Sequence, residues 1–162
     1  MINRRELLLL AATTSVGGCL ERDENGEGST LAWVVVSNHH DDSHAVDLEI
    51  EWEGETVLEE TYQLPAHDSS GESVPGELAD RVWPDEPGRF AVSARHSGGE
   101  WSTVDPADSE YPECYAVYVM VNEFSGNVVL AVVTDEESCS DAEIERMEAE
   151  ATNGSVSDRT AV

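Results

Sequence analysis

Val46 to Glu53 reads VDLEIEWE, and its alternation runs unbroken. Val46, Leu48, Ile50 and Trp52 point one way; Asp47, Glu49, Glu51 and Glu53 point the other. A helix would scatter these apolar residues around its whole circumference. A strand puts them on one face, because successive side chains alternate across the pleat. The segment is therefore read as a strand with one face buried and one in water.

Similar signals recur along the chain. Leu31 to Ser37 (LAWVVVS) is a continuous apolar, β-branched run of a length that suits a buried strand. Gly54-Glu55 offers a tight turn with glycine first, as a type II′ hairpin requires. Thr56 to Leu64 returns as the partner strand, with Leu58, Tyr62 and Leu64 on one face. Glu60 interrupts that face, which predicts an edge position or a bulge. Pro65 to Gly88 holds four prolines and three glycines. An extended piece at Ser73-Val74 and a helical turn over Glu77 to Val82 are expected there, with Trp83 closing the end of the core. Arg89 to His96 is a further strand, with Phe90, Val92 and Ala94 inward. Ser97 to Glu100 turns it into Trp101 to Val104. Cys114 to Val121 and Val128 to Thr134 form the last hairpin, turning at Gly126-Asn127 or Ser125-Gly126.

Ser140-Asp141-Ala142-Glu143 fits the capping box S-x-x-E. It opens a short helix over 140–152, with Ile144, Met147 and Ala151 sharing a face. The polar residues 153–162 are expected to form a disordered tail. Seven or eight short strands with turn signals every 8–12 residues indicate an all-β sandwich or barrel. The order of hairpins resembles an immunoglobulin-like or fibronectin-like antiparallel β-sandwich spanning 31–139. The antibody-type Cys…Trp…Cys pattern is missing, so the resemblance carries the architecture alone.

The N-terminus sets an address. Met1 to Cys19 (MINRRELLLLAATTSVGGC) has a paired arginine, a short apolar run and a small-residue stretch ending in cysteine. These are the three ordered parts of an export signal. The apolar run is too short to span a bilayer, which takes about 20 residues. Arg4-Arg5 followed by leucines resembles the twin-arginine export signal, with Asn3 and Leu7 departing from the usual pattern. Val16-Gly17-Gly18-Cys19 resembles a lipobox, with Val for the common Leu. The resemblance implies that residues 1–18 are removed and that Cys19 carries lipid. The polar segment 19–30 is then a flexible tether, long enough to hold the body up to roughly 35 Å from the membrane.

The chain carries 8 basic and 35 acidic residues, and every basic one is arginine. Losing Arg4, Arg5 and Glu6 with the signal leaves 6 against 34, a formal charge of −28. Such self-repulsion destabilises a compact state until salt screens it. An acidic, lysine-free chain behind a twin-arginine lipobox resembles the exported lipoproteins of haloarchaea. That resemblance places the protein outside the cytoplasm, on the outer face of the cytoplasmic membrane, bound through lipid on Cys19. The charge leaves no basic stripe for phosphates, so nucleic acid is excluded as a partner.

Three groups of residues could carry chemistry. Cys114 and Cys139 are an even pair outside the cytoplasm, where disulfides persist. A two-residue turn at Gly126-Asn127 would set them opposite each other; one at Ser125-Gly126 would offset them by two. Free thiols or a shared metal site are the alternatives. His39, His40 and His44 lie with Asp41 and Asp42 in one strand-to-strand loop, and His67-Asp68 could join them. Imidazoles and carboxylates suit Zn²⁺ or Cu²⁺; a solvated polar loop is the plain alternative. Trp33, Trp52, Trp83 and Trp101 could line a sugar-binding face, though tryptophans on alternating strands are more often core.

No G-x-S-x-G elbow, glycine-rich phosphate loop or H-E-x-x-H is present. Acidic pairs such as Glu59-Glu60 are too plentiful to be diagnostic. The expectation is thus a lipid-anchored, non-enzymatic binding or envelope module without a cofactor, with a protein or envelope component as partner. A metal-binding surface lipoprotein is the alternative.

Overall fold

The computed structural model describes residues 28–71, 73–105 and 112–152. The export signal with Arg4 and Arg5, the lipobox with Cys19, most of the tether and the tail 153–162 lie outside the described residues. Eight strands form two four-stranded sheets, and a helix ends the described chain. The strands are β1 (Thr30–Asn38), β2 (His44–Trp52), β3 (Glu55–Leu64), β4 (Gly76–Leu78), β5 (Phe90–His96), β6 (Ser102–Val104), β7 (Cys114–Val121) and β8 (Val128–Val133). The helix is α1 (Asp141–Thr152). One sheet has the order β4-β1-β7-β8, the other β3-β2-β5-β6. Among the described residues, no helix is long and apolar enough to cross a membrane.

Both sheets contribute to one buried apolar cluster. Val34, Val36, Val117 and Val119 come from the first sheet; Val46, Leu48, Ile50, Val92 and Ala94 come from the second. The alternating segment of β2 thus buries the face its pattern predicts. Trp83 is buried at the end of this cluster, where its indole N–H donates to the Leu31 carbonyl at 2.8 Å. A second apolar cluster lies on the opposite face of β1. It joins Ala32, Trp33, Val35 and Ala116 to Met147 of α1, with Ile144 packed against it. β1 is therefore covered on both sides, which is why its sequence is a continuous apolar run rather than an alternation. A register shift between Leu31 and Val34 inserts one extra residue opposite β7. That bulge lets adjacent Ala32 and Trp33 both face the helix.

Four expectations need correction. The sheets are not wholly antiparallel, because β1 and β7 pair in parallel. β6 runs down to the end where β1 begins, and the chain re-enters the first sheet there, so β7 must climb beside β1 in the same direction. The β2–β3 turn is Glu53-Gly54, with φ of 52° and 81°, rather than Gly54-Glu55. Two successive positive φ values are the type I′ signature. Glu77 to Val82 is not helical: Gly76–Leu78 pairs with Val35 to Ser37 as a short edge strand. The β7–β8 turn is also longer than two residues. Val121 pairs with Val128 and Ala116 with Val133, leaving six residues, 122–127, to make the turn. β3 is an edge strand, and its pairing with β2 shifts register between Ile50 and Glu51. Glu60 points to solvent there and accepts a hydrogen bond from the Tyr62 hydroxyl at 2.9 Å.

The solvent face of the second sheet holds a polar knot. Thr61 Oγ1 donates to Asp47 Oδ1 at 2.8 Å, Arg95 Nε to Oδ2 at 3.0 Å, and Ser97 Oγ to Oδ1 at 3.1 Å. These donors favour the ionised carboxylate, Thr61 first, and hold its pKa below the ordinary 3.8. Asp47 then contributes stability that is full above pH 3.8 and lost as pH falls through the lowered folded value. Thr61→Val should raise the Asp47 pKa toward the ordinary value, read by carboxyl NMR titration. An unmoved titration would remove Thr61 as the leading cause.

Candidate functional site

Strand direction decides where side chains collect. β1 runs up; β2 down; β3 up; β5 up; β7 up. The end of β1, the start of β2, the ends of β3 and β5, and the β7–β8 turn therefore meet at one end of the two sheets. The chain's five histidines sit on those segments: His39 and His40 after β1, His44 opening β2, His67 after β3, and His96 ending β5. The Cys114–Cys139 disulfide lies at the other end, with S–S 2.02 Å and Cα atoms 6.1 Å apart.

Asn38 organises this end. It is fully buried as the last residue of β1. Its amide nitrogen donates to the Asp42 carbonyl at 2.8 Å and to the Pro65 carbonyl at 2.7 Å. Its amide oxygen accepts the His40 backbone N–H at 3.0 Å. One side chain thus clamps both ends of the loop and the neighbouring β3 exit. The His39 N–H donates to the Val121 carbonyl at 3.0 Å, and the His67 N–H to the His40 carbonyl at 2.8 Å. The loop's backbone is therefore held from three sides, although Asp41, Asp42 and Ser43 are exposed.

The imidazoles form two groups. His40, His44 and His96 make a contiguous row, His40 edge-on to His44 and His44 tilted against His96. His40 Nδ1 and His44 Nε2 are 3.1 Å apart, with ring centroids at 5.0 Å; His44 and His96 have centroids at 4.8 Å. His96 Nε2 bonds the Gly126 carbonyl, so the β7–β8 turn fixes its ring. Gly126 has a φ of 65°, and a Cβ there would stand 3.5 Å from His40 Nε2 and 3.7 Å from His44 Cε1. The turn's backbone thus floors the row. His39 belongs elsewhere: its Nε2 lies 3.2 Å from Ser37 Oγ, and its ring centroid is 6.4 Å from that of His67. His67 Nδ1 is buried without a hydrogen-bond partner.

Around His40 the acceptors crowd. Its Nδ1 lies 3.4 Å from Asp41 Oδ1 and 3.8 Å from Asp42 Oδ2, and it accepts the Asp42 backbone N–H at 3.2 Å. His44 has its pKa lowered from the ordinary 6.5, first by burial, then by the charges of His96 and His40, against the opposing pull of Asp42. Beside it, Ser43, Ala45, Gln63, Leu64 and Pro65 line an open depression.

Loop composition singled out His39, His40 and His44 with Asp41 and Asp42: His40, Asp41 and Asp42 bring donor atoms together and His44 adjoins His40, while His39 stands apart beside Ser37 and His67. His96 and Asn38 carried no local signal. His96 arrives through the pairing of Val46 with His96 across β2 and β5, which only the register reveals. The tryptophans do not share a face. Trp33 and Trp83 are buried in separate clusters, and Trp101 is exposed with the Arg95 guanidinium 4.3 Å above its ring. No protein-family model matches this chain, and no curated protein matches it.

Proposed function

We propose that this protein is a lipid-anchored, extracytoplasmic, immunoglobulin-like module that works by non-catalytic binding, with its histidine-bearing end as the binding end. The observation that carries the reading is polarity along β1. The chain enters at Thr30 and the histidines follow Asn38, nine residues away. At about 3.3 Å per residue, that separates the two by about 30 Å. A body tethered through Cys19 would hold the disulfide end toward the membrane and the histidine end toward the exterior.

The immunoglobulin-like reading is supported by strand neighbours. The order β3-β2-β5-β6 matches C′-C-F-G of such sandwiches, and the antiparallel β1–β4 pair matches B–E. β7 takes the place of strand A beside β1 but runs the opposite way to A, and β8 extends the sheet beyond it. The convergence of His40, His44 and His96 favours metal binding as the more specific form of the function. The binding partner is otherwise a protein or envelope component, and the acidic body excludes nucleic acid.

The anchor has a direct test. Labelled lipid should enter the wild-type protein and not Cys19→Ser, and only the variant should be released into the medium. Equal release of both forms would overturn it. Cross-linking on intact cells at high salt should capture a partner through a probe at Ser43 and none through a probe at Glu113, by the disulfide. The opposite pattern would reverse the polarity.

A further inference from the structure

We propose that the loop His40–His44 is a binding site for one divalent transition-metal ion, Zn²⁺ or Cu²⁺. Its ligands are His40 Nδ1, His44 Nε2 and the carboxylates of Asp41 and Asp42, with His96 and Asn38 as positioning residues. The inference rests on the reading of this end as the binding end, and is independent of the lipid anchor.

The distances fit a chelate. Bonds of 2.0–2.1 Å in tetrahedral geometry place neighbouring ligand atoms about 3.3 Å apart. From His40 Nδ1, the other three donor atoms stand at 3.1, 3.4 and 3.8 Å. One donor atom from each of His40, Asp41 and Asp42 falls within 4.8 Å of the others; His44 stands outside that mutual group and adjoins it at His40, so the exposed carboxylates must turn to complete the set. The Asp42 N–H occupies the one in-plane lone pair of His40 Nδ1 at 3.2 Å, so an ion binds there by displacing that hydrogen bond. Two imidazoles with two carboxylates suit Zn²⁺ and Cu²⁺ and disfavour hard cations, which take oxygen ligands.

The surroundings supply the support that ligand loops need. Asn38 holds the His40 N–H and the Asp42 carbonyl, so the two ends of the chelate cannot drift apart. His96 packs against the His44 ring and is itself held by the Gly126 carbonyl. A Cβ at Gly126 would be in ordinary contact with both rings, and its φ of 65° is what favours glycine at this turn. Asp41 and Asp42 are exposed, so an ion can enter without opening the fold.

Calorimetry of the full chain in detergent at molar salt, with zinc or copper(II) salts as the titrant, tests the site. One ion per chain should bind with micromolar or tighter affinity. His40→Ala and His44→Ala should each weaken it about 100-fold or more, and His96→Ala by about 10-fold, as supporting residues do. His39→Ala and His67→Ala should leave it unchanged. Copper(II) electron paramagnetic resonance should show coupling to two nitrogens in wild type and in His96→Ala, and to one in His44→Ala. Near-ultraviolet circular dichroism establishes that each variant is folded; His40→Gln replaces His40→Ala if the latter is not. Absence of binding to folded wild type, loss of binding in His39→Ala or His67→Ala, or displacement of the ion by excess Ca²⁺ would each overturn the site. Those failures leave the polarity of the module standing, because the cross-linking test at Ser43 reads it without metal.

Discussion

Lowering the salt from molar concentration toward 0.1 M should unfold this domain. The full chain carries a formal charge of −27 with eight cationic side chains in all, two of them in the signal segment. The strands place like charges in direct opposition: Glu49 pairs with Glu59 across β2 and β3. Directly opposed like charges on neighbouring strands destabilise a sheet. Among the described residues, three of the cations are engaged with local acids: Arg81 with Asp85, Arg95 with Asp47 and Arg146 with Glu143 and Glu150. They therefore do little for the remaining repulsion. At 1 M salt the Debye length is about 3 Å and neighbouring carboxylates are screened; near 0.1 M it reaches about 10 Å and whole strands repel one another. Near-ultraviolet circular dichroism should lose the signal of packed Trp33 and Trp83 below about 0.5 M salt, as screening weakens. Adding Glu59→Gln should move the transition to lower salt. A spectrum unchanged down to 0.1 M would show that the sheets tolerate this charge without screening.

How much of this was legible depends on whether the signal is local. The β2 alternation, the interruption at Glu60 and the capping box at Ser140 are local patterns, and each produced its element. The Ser140 hydroxyl accepts the Glu143 N–H at 3.2 Å, one half of the box, while the Ser140 N–H donates to the Glu137 carbonyl at 3.0 Å. Glu53 was missed as a turn residue because a non-glycine at positive φ is uncommon. The sequence of β4 reads as part of a helical turn because its three residues owe their extended conformation to β1, not to their own pattern. The parallel β1–β7 pair and the arrival of His96 beside His44 are properties of topology. No window of the sequence holds them. The site was therefore half legible: the loop supplied the proposed ligands, and the fold supplied what positions them.

Reducing the Cys114–Cys139 disulfide should lower the thermal midpoint by about 10 °C. The bridge spans 25 residues of sequence. Closing a loop of that size removes unfolded-chain entropy equivalent to about 3 kcal/mol. For a domain of this size each kcal/mol moves the midpoint by about 4 °C. The bridge does not tie facing residues of the β7–β8 ladder, since that ladder ends with Ala116 opposite Val133. It joins the first residue of β7 to the last of a single 3-10 turn, Glu136–Cys139, from which α1 departs. The Trp33 indole N–H donates to the Ser138 carbonyl in that turn at 2.9 Å, and Met147 covers the same face of β1. Reduction should therefore loosen α1 first. Trp33 emission should shift to the red and an apolar dye should bind the uncovered face of β1, while the cluster between the sheets stays intact at high salt. Non-reducing peptide mapping should find the two cysteines joined. Free reaction of both thiols with an alkylating agent in the native protein, or a midpoint unmoved by reduction, would remove the bridge as the clamp on this helix.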